Sequence, residues 1–142
     1  MKWALTLGTA ALAAIGITNC GVIPTQSPEM RPGTNCLRCH NGERAQSWTV
    51  AGTLYADSHA NADAGIDGAD ILITDANGVQ LTLHTNGAGN FYTAESLTLP
   101  LQVEAQKGGV GVGMAMGVPN GGCNLCHTEP PLNNAPGRIY LP

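Results

Sequence analysis

The chain has 142 residues, room for one ordinary domain and too few for two with full cores. Glycine (19) and proline (9) supply about a fifth of it, and only 11% is charged, which excludes a disordered polyelectrolyte. Net charge is −4, so the clustered basic footprint of a nucleic-acid binder is absent and no nucleic-acid partner is expected. Aromatic residues make up only 4%, which leaves open what fills the core.

Lys2 followed by the apolar run Trp3 to Ile17 reads as the charged and hydrophobic regions of an export signal. The run is too short and alanine-rich for a membrane span. It ends in Ile17-Thr18-Asn19-Cys20-Gly21, which resembles a bacterial lipobox, with Asn19 where a small residue is usual. That resemblance implies removal of residues 1–19, acylation of Cys20, and a lipid-anchored protein in the periplasm, outer membrane or cell surface. Residues 20–35 hold several prolines and no hydrophobic period, and are expected to be a tether to a single domain over 36–142.

Strand signals fill the middle of that domain, with a β core expected over about 48–117. Trp48 to Tyr55 alternates in twos, and Ala69 to Thr74 is strand-like. Asp75-Ala-Asn-Gly78 forms a turn, since Asn-Gly readily takes positive φ. In Val79 to Thr85, Val79, Leu81, Leu83 and Thr85 share one face and Gln80, Thr82 and His84 the other. Asn86 to Asn90 turns again, and Phe91 to Thr93 and Leu99 to Ala105 follow as strands. Beyond the Lys107-Gly108-Gly109 turn, Val110, Val112, Met114 and Met116 share a face, expected in the core. Gly111, Gly113, Ala115 and Gly117 line the bare opposite face. No segment carries a sustained helical period. The expected fold is all-β, a small antiparallel sandwich with little helix.

From Thr49 to Gln106 the order V-x-G-x-L, G-A-D-I-x-I, D-x-x-G, T-N-x-x-G-x-F and L-P-L-x-V-x-A resembles carboxypeptidase regulatory-like domains. These are transthyretin-like β-sandwiches, and the resemblance implies a fold without a chemistry. One departure is the long Asp- and Ala-rich connection from Tyr55 to Gly68, which contains His59.

The chemistry lies at the two ends of the domain. Cys36-Leu37-Arg38-Cys39-His40 and Cys123-Asn124-Leu125-Cys126-His127 are both C-x-x-C-H, the attachment signature of c-type haem. Two cysteines three apart reach the two vinyl groups on one porphyrin edge, and the adjacent imidazole binds iron. A zinc ribbon spaces its pairs about 15–20 residues apart, whereas 83 residues separate these two. A thioredoxin-like motif needs a βαβ context that is missing, and structural disulfides leave the histidine after each pair unexplained. The motifs resemble those of multihaem c-type cytochromes, which implies two covalently bound haems, at Cys36 and Cys39 and at Cys123 and Cys126, with His40 and His127 on iron.

The chain has five cysteines and four histidines. Four cysteines serve two haems and Cys20 the lipid. Two histidines follow the motifs, and His59 and His84 remain for the two outer axial positions; Met30 is the rival ligand. Arg38, Arg44 and Arg138 lie near the motifs in sequence and are candidate partners for haem propionates. Filling both axial positions leaves no open iron, so the expected role is electron transfer between redox proteins rather than enzymatic, with self-assembly as a further possibility. A haem enzyme with one open iron site, such as a peroxidase or small reductase, and a β-sandwich binding module with accessory haems are the alternatives.

Overall fold

The computed structural model describes residues 27–142, so the export signal and Cys20 lie outside the described residues. Among the described residues seven strands form two sheets: β1 (Val50–Tyr55), β2 (Asp70–Thr74), β3 (Gln80–His84), β4 (Asn90–Thr93), β5 (Gln102–Lys107), β6 (Val110–Gly113) and β7 (Ile139–Tyr140). One sheet runs β3-β2-β5-β6 and is antiparallel throughout; the other runs β4-β1-β7. In the second, β1 is antiparallel to β4 and parallel to β7. The only described helical elements are two short 3-10 turns, Cys36–Arg38 and Cys123–Leu125. The all-β sandwich expected from alternation and turn chemistry is the fold.

Alternation sets the layers. Ile71 and Ile73 of β2, Ala105 of β5, Val50 and Leu54 of β1 and Phe91 of β4 are buried together, with Leu83 and Val103 packed against them. Gln80, Thr82 and His84 face outward from β3, as their period-2 pattern requires. A protein core therefore forms from aliphatic side chains and Phe91. The Asp75 turn closes β2 onto β3: Asp75 Oδ1 accepts from the N–H groups of Asn77 and Val79, each at 2.8 Å, and Oδ2 from Thr98 N–H at 2.9 Å. Gly78 sits at φ +81°, the conformation the Asn-Gly pair supplies.

Two expectations need correction. Met114 and Met116 are 39% and 67% exposed, and Val110 and Val112 are each 43% exposed. β6 is one of the sheet's two edge strands, exposed along its length, and it ends at Gly113, so the alternating run never turns a face into the core. Residues 27–35, expected within the tether, are docked on the second sheet. Asn86 Nδ2 donates to Pro28 O at 2.7 Å, Asn90 Nδ2 to Met30 O at 3.2 Å, and Gly33 N–H to Thr53 Oγ1 at 2.8 Å. That layer covers the outer face of β1, which is why all six β1 residues are buried.

Candidate haem-attachment site

Both motifs pack against β1, from different sides, and adopt the same turn. In the first, the N–H groups of Cys39 and His40 return to Cys36 O at 3.1 and 2.9 Å; in the second, those of Cys126 and His127 return to Cys123 O at 3.3 and 3.0 Å. The closing residues match as well, Cys39 at φ −106°, ψ −39° and Cys126 at φ −112°, ψ −44°. Two five-residue segments far apart in the chain thus present two sulfurs and one imidazole in equivalent arrangements.

The first motif sits above the outer face of the β4–β1 pair. Phe91 points into the core, so its neighbour Tyr92 points out, opposite Ala51. Trp48 stacks on Tyr92 with ring centroids 4.1 Å apart, and His40 stacks on Trp48 at 3.4 Å. The second motif lies at the other edge of β1, where Ala51 N–H donates to Gly121 O at 2.9 Å. Gly52 makes room for it: a Cβ there would lie 2.5 Å from Phe91 Cζ and 2.9 Å from Cys123 Cβ. The motifs also touch each other, since a Cβ on Gly122 would lie 3.2 Å from Asn35 Oδ1 and 3.5 Å from Leu37 Cδ1. Asn35 Oδ1 and Asn124 Oδ1, one beside each motif, are buried side-chain acceptors without a hydrogen-bond partner.

Burial pushes the Cys123 thiol up to about 12, with the nearby Cys36 and Cys126 adding to it, and burial also raises Cys36. Cys36, Cys123 and Cys126 carry free thiols. Cys39 is disulfide-bonded. A disulfide and a thioether at one sulfur exclude each other, so attachment at the first motif requires that bond reduced. Among the described residues no three His, Cys, Asp or Glu side chains gather into a group that would hold a bare metal ion.

Each of the four imidazoles is held by its Nδ1. His40 Nδ1 lies 3.1 Å from Gln46 O and His127 Nδ1 3.0 Å from Gly137 O, so both carry their proton there and donate it to a backbone carbonyl. His59 Nδ1 is 2.9 Å from Glu129 Oε2, and His84 Nδ1 is 2.7 Å from Asp70 Oδ1. Nδ1 fixed by a carbonyl or carboxylate leaves Nε2 as the ligating nitrogen, the arrangement metal-binding histidines use.

A cleft of about 750 Å³ opens beside the first motif, within the size range of cofactor sites. Its lining includes Cys36, Cys39, His40, Met30 and Trp48, with Arg31, Arg38 and Arg44 around it. The Cys36 thiol, a second sulfur at Cys39 once its disulfide is reduced, a presented imidazole, aromatic walls and three guanidinium groups fit a haem and its propionates. Sequence proximity pointed to Arg38 and Arg44; Arg31 was missed because it lay in the presumed tether. Arg138 is spent elsewhere. It is 9% exposed, donates from Nε to Ala60 O at 2.7 Å, and lies over the Tyr55 ring at 4.4 Å.

That clamp brings His59 to the second motif. Arg138 N–H donates to Ser58 O at 3.0 Å, next to the Gly137 carbonyl that holds His127, and His59 pairs with Glu129, two residues beyond His127. The loop after Tyr55 thus carries His59 to the flank of the second motif. His84 is not brought to either motif: it lies on the outer face of β3, in the other sheet.

No family model, no curated protein and no solved structure matches the chain. The fold and site define the class: a two-sheet all-β sandwich with a pair of equivalent C-x-x-C-H turns flanking one central strand.

Proposed function

We propose that this chain is an exported c-type cytochrome with two covalent haems, lipid-anchored through Cys20, carrying electrons between redox proteins in the periplasm or at the cell surface. Cys36 and Cys39 hold one haem and Cys123 and Cys126 the other, with His40 and His127 as the inner axial ligands and His59 as the outer ligand at the second site. The observation that carries this reading is the common state of the four histidines, every Nδ1 engaged and every Nε2 left to ligate. Bound haem would supply a one-electron iron couple. The chain's own residues orient the imidazoles, wall the first site with Trp48 and set Arg31, Arg38 and Arg44 around it. The second haem, with His127 and His59 on its iron, would keep no open position there, which makes this the reading of a carrier rather than an enzyme.

The Cys39 disulfide favours a second reading, in which the cysteines form a structural framework. It leaves three described thiols free and gives the two motif histidines no work. Expression with a haem-attachment system separates the two. The carrier reading expects intact mass raised by two haems, loss of one haem in each of Cys36→Ala/Cys39→Ala and Cys123→Ala/Cys126→Ala, and no carbon monoxide binding at the second haem of the reduced wild type. Haem-free protein overturns it, and tight carbon monoxide binding at the second haem points to an open-iron enzyme.

A further inference from the structure

We propose that His84 of one copy of this chain is the outer axial ligand of the haem held at Cys36, Cys39 and His40 of a second copy, so that the first site is completed only by association. The inference rests on the dihaem reading and extends it.

The first site lacks a second imidazole of its own. Among the described residues its cleft is lined by no histidine other than His40. His59 is engaged beside the second motif through Glu129 and the Arg138 clamp. His84 is the remaining histidine, and the fold turns it away. It is an outward residue of β3, while the first motif sits over the outward face of β1 and β4. Between them lies the buried layer of Val50, Leu54, Ile71, Ile73 and Phe91. Packed sheets stand about 10 Å apart, and the two imidazoles leave opposite sides of that sandwich.

His84 is built as a donor to something outside its own chain. Its side chain is 73% exposed, and the Asp70 carboxylate fixes Nδ1 at 2.7 Å, which leaves Nε2 to solvent. An exposed pair of this kind contributes little to stability, but it sets the tautomer and ring orientation that ligation needs. Charge is complementary as well. Three of the chain's six Lys and Arg line the first cleft. Asp70 and Glu104 share the outward face of the His84 sheet, Asp70 opposite His84 and Glu104 opposite the outward Leu72. Since donor face and acceptor cleft lie on opposite sides, one copy gives to the next and receives from the one before. Such a contact is heterologous and closes into a ring or continues as a chain.

The test mixes two variants of the haem-loaded protein, with haem content first fixed by intact mass. His84→Ala keeps both haems but should stay monomeric in sedimentation, with one haem of the two high-spin at every concentration. Added imidazole should return that haem to low spin without restoring association. Cys36→Ala/Cys39→Ala lacks the first haem and retains His84; excess of it should return the His84→Ala protein to low spin. Wild type should be low-spin at both haems when associated, and half its haem should turn high-spin on dilution. The proposal is overturned if His84→Ala leaves both haems low-spin, if it keeps the wild-type association, or if mixing rescues nothing. A methionine–iron charge-transfer band in the far red, lost in Met30→Ala, would overturn it in favour of Met30. If the mass shows no haem, the dihaem reading fails instead.

Discussion

The imidazole of His40 lies flat on the indole of Trp48, ring centroids 3.4 Å apart and planes 5° from parallel, and the opposite face of Trp48 stacks on Tyr92. The Gln46 carbonyl fixes one nitrogen of that imidazole while Trp48 fixes its plane. An aromatic pair of this kind adds about 0.5–1.5 kcal/mol beyond area burial. Trp48→Ala removes two such pairs and should cost about 1–3 kcal/mol, read as a lowered denaturation midpoint, with Trp48→Phe losing less than half as much. In haem-loaded protein only Trp48→Ala should broaden the ferric resonance of one haem and leave the other unchanged.

Gly52 is where the second motif meets the sheet. Its Cβ would enter the space of Phe91 and Cys123, and the Phe91 ring, buried in the core, has nowhere to go. Gly52→Ala should therefore destabilise by about 1–3 kcal/mol as overpacking does. Urea titration checks the size, and haem loading should fall at the second motif while the first loads normally.

The carboxyl of Asp75 is held below the usual carboxylate range, chiefly by the Thr98 N–H and then by those of Val79 and Asn77, against an opposing effect of burial. Its ionised form is thus favoured by folding. That contribution is complete above the unfolded value of about 4 and is lost as pH falls from there through the lower folded value. Denaturant midpoints of wild type and Asp75→Asn should differ most at neutral pH, and the gap should narrow below about pH 4.

Arg138 ties the tail to the loop that carries His59. Arg138→Met keeps the aliphatic stem but leaves the Ala60 carbonyl without its Nε donor and Tyr55 without its cation. A buried acceptor left unpaired costs about 1–3 kcal/mol. Hydrogen exchange should accelerate over residues 57–64 and stay unchanged in β2 and β5.

Periodicity was enough to read the strands because each buried face is aliphatic and each turn carries its own chemistry, as at Asp75 to Gly78. It failed where alternation met an edge: Val110 to Met116 has the pattern of a core strand, but pattern says nothing about whether a second sheet reaches that far. β7 was invisible, being two residues paired to β1 by a contact far along the chain. Over residues 27–35 the tether reading missed a docked segment because the docking depends on Asn86, Asn90 and Thr53, none close in sequence. At the site, local spacing revealed both motifs and the count of histidines their candidate ligands. Which histidine lies near which motif is a tertiary fact: it needed the Arg138 clamp to bring His59 in and the facing of β3 to send His84 out.

Because Ala51 bonds to Gly121, the bed on which the second motif rests consists of residues made some seventy positions earlier. During synthesis the first motif and all of β1 emerge while Cys123 is still undelivered. Closing so long a loop is slow compared with forming the hairpins between. The two motifs therefore become accessible one after the other, and the second stays open only until the tail folds down beside β1.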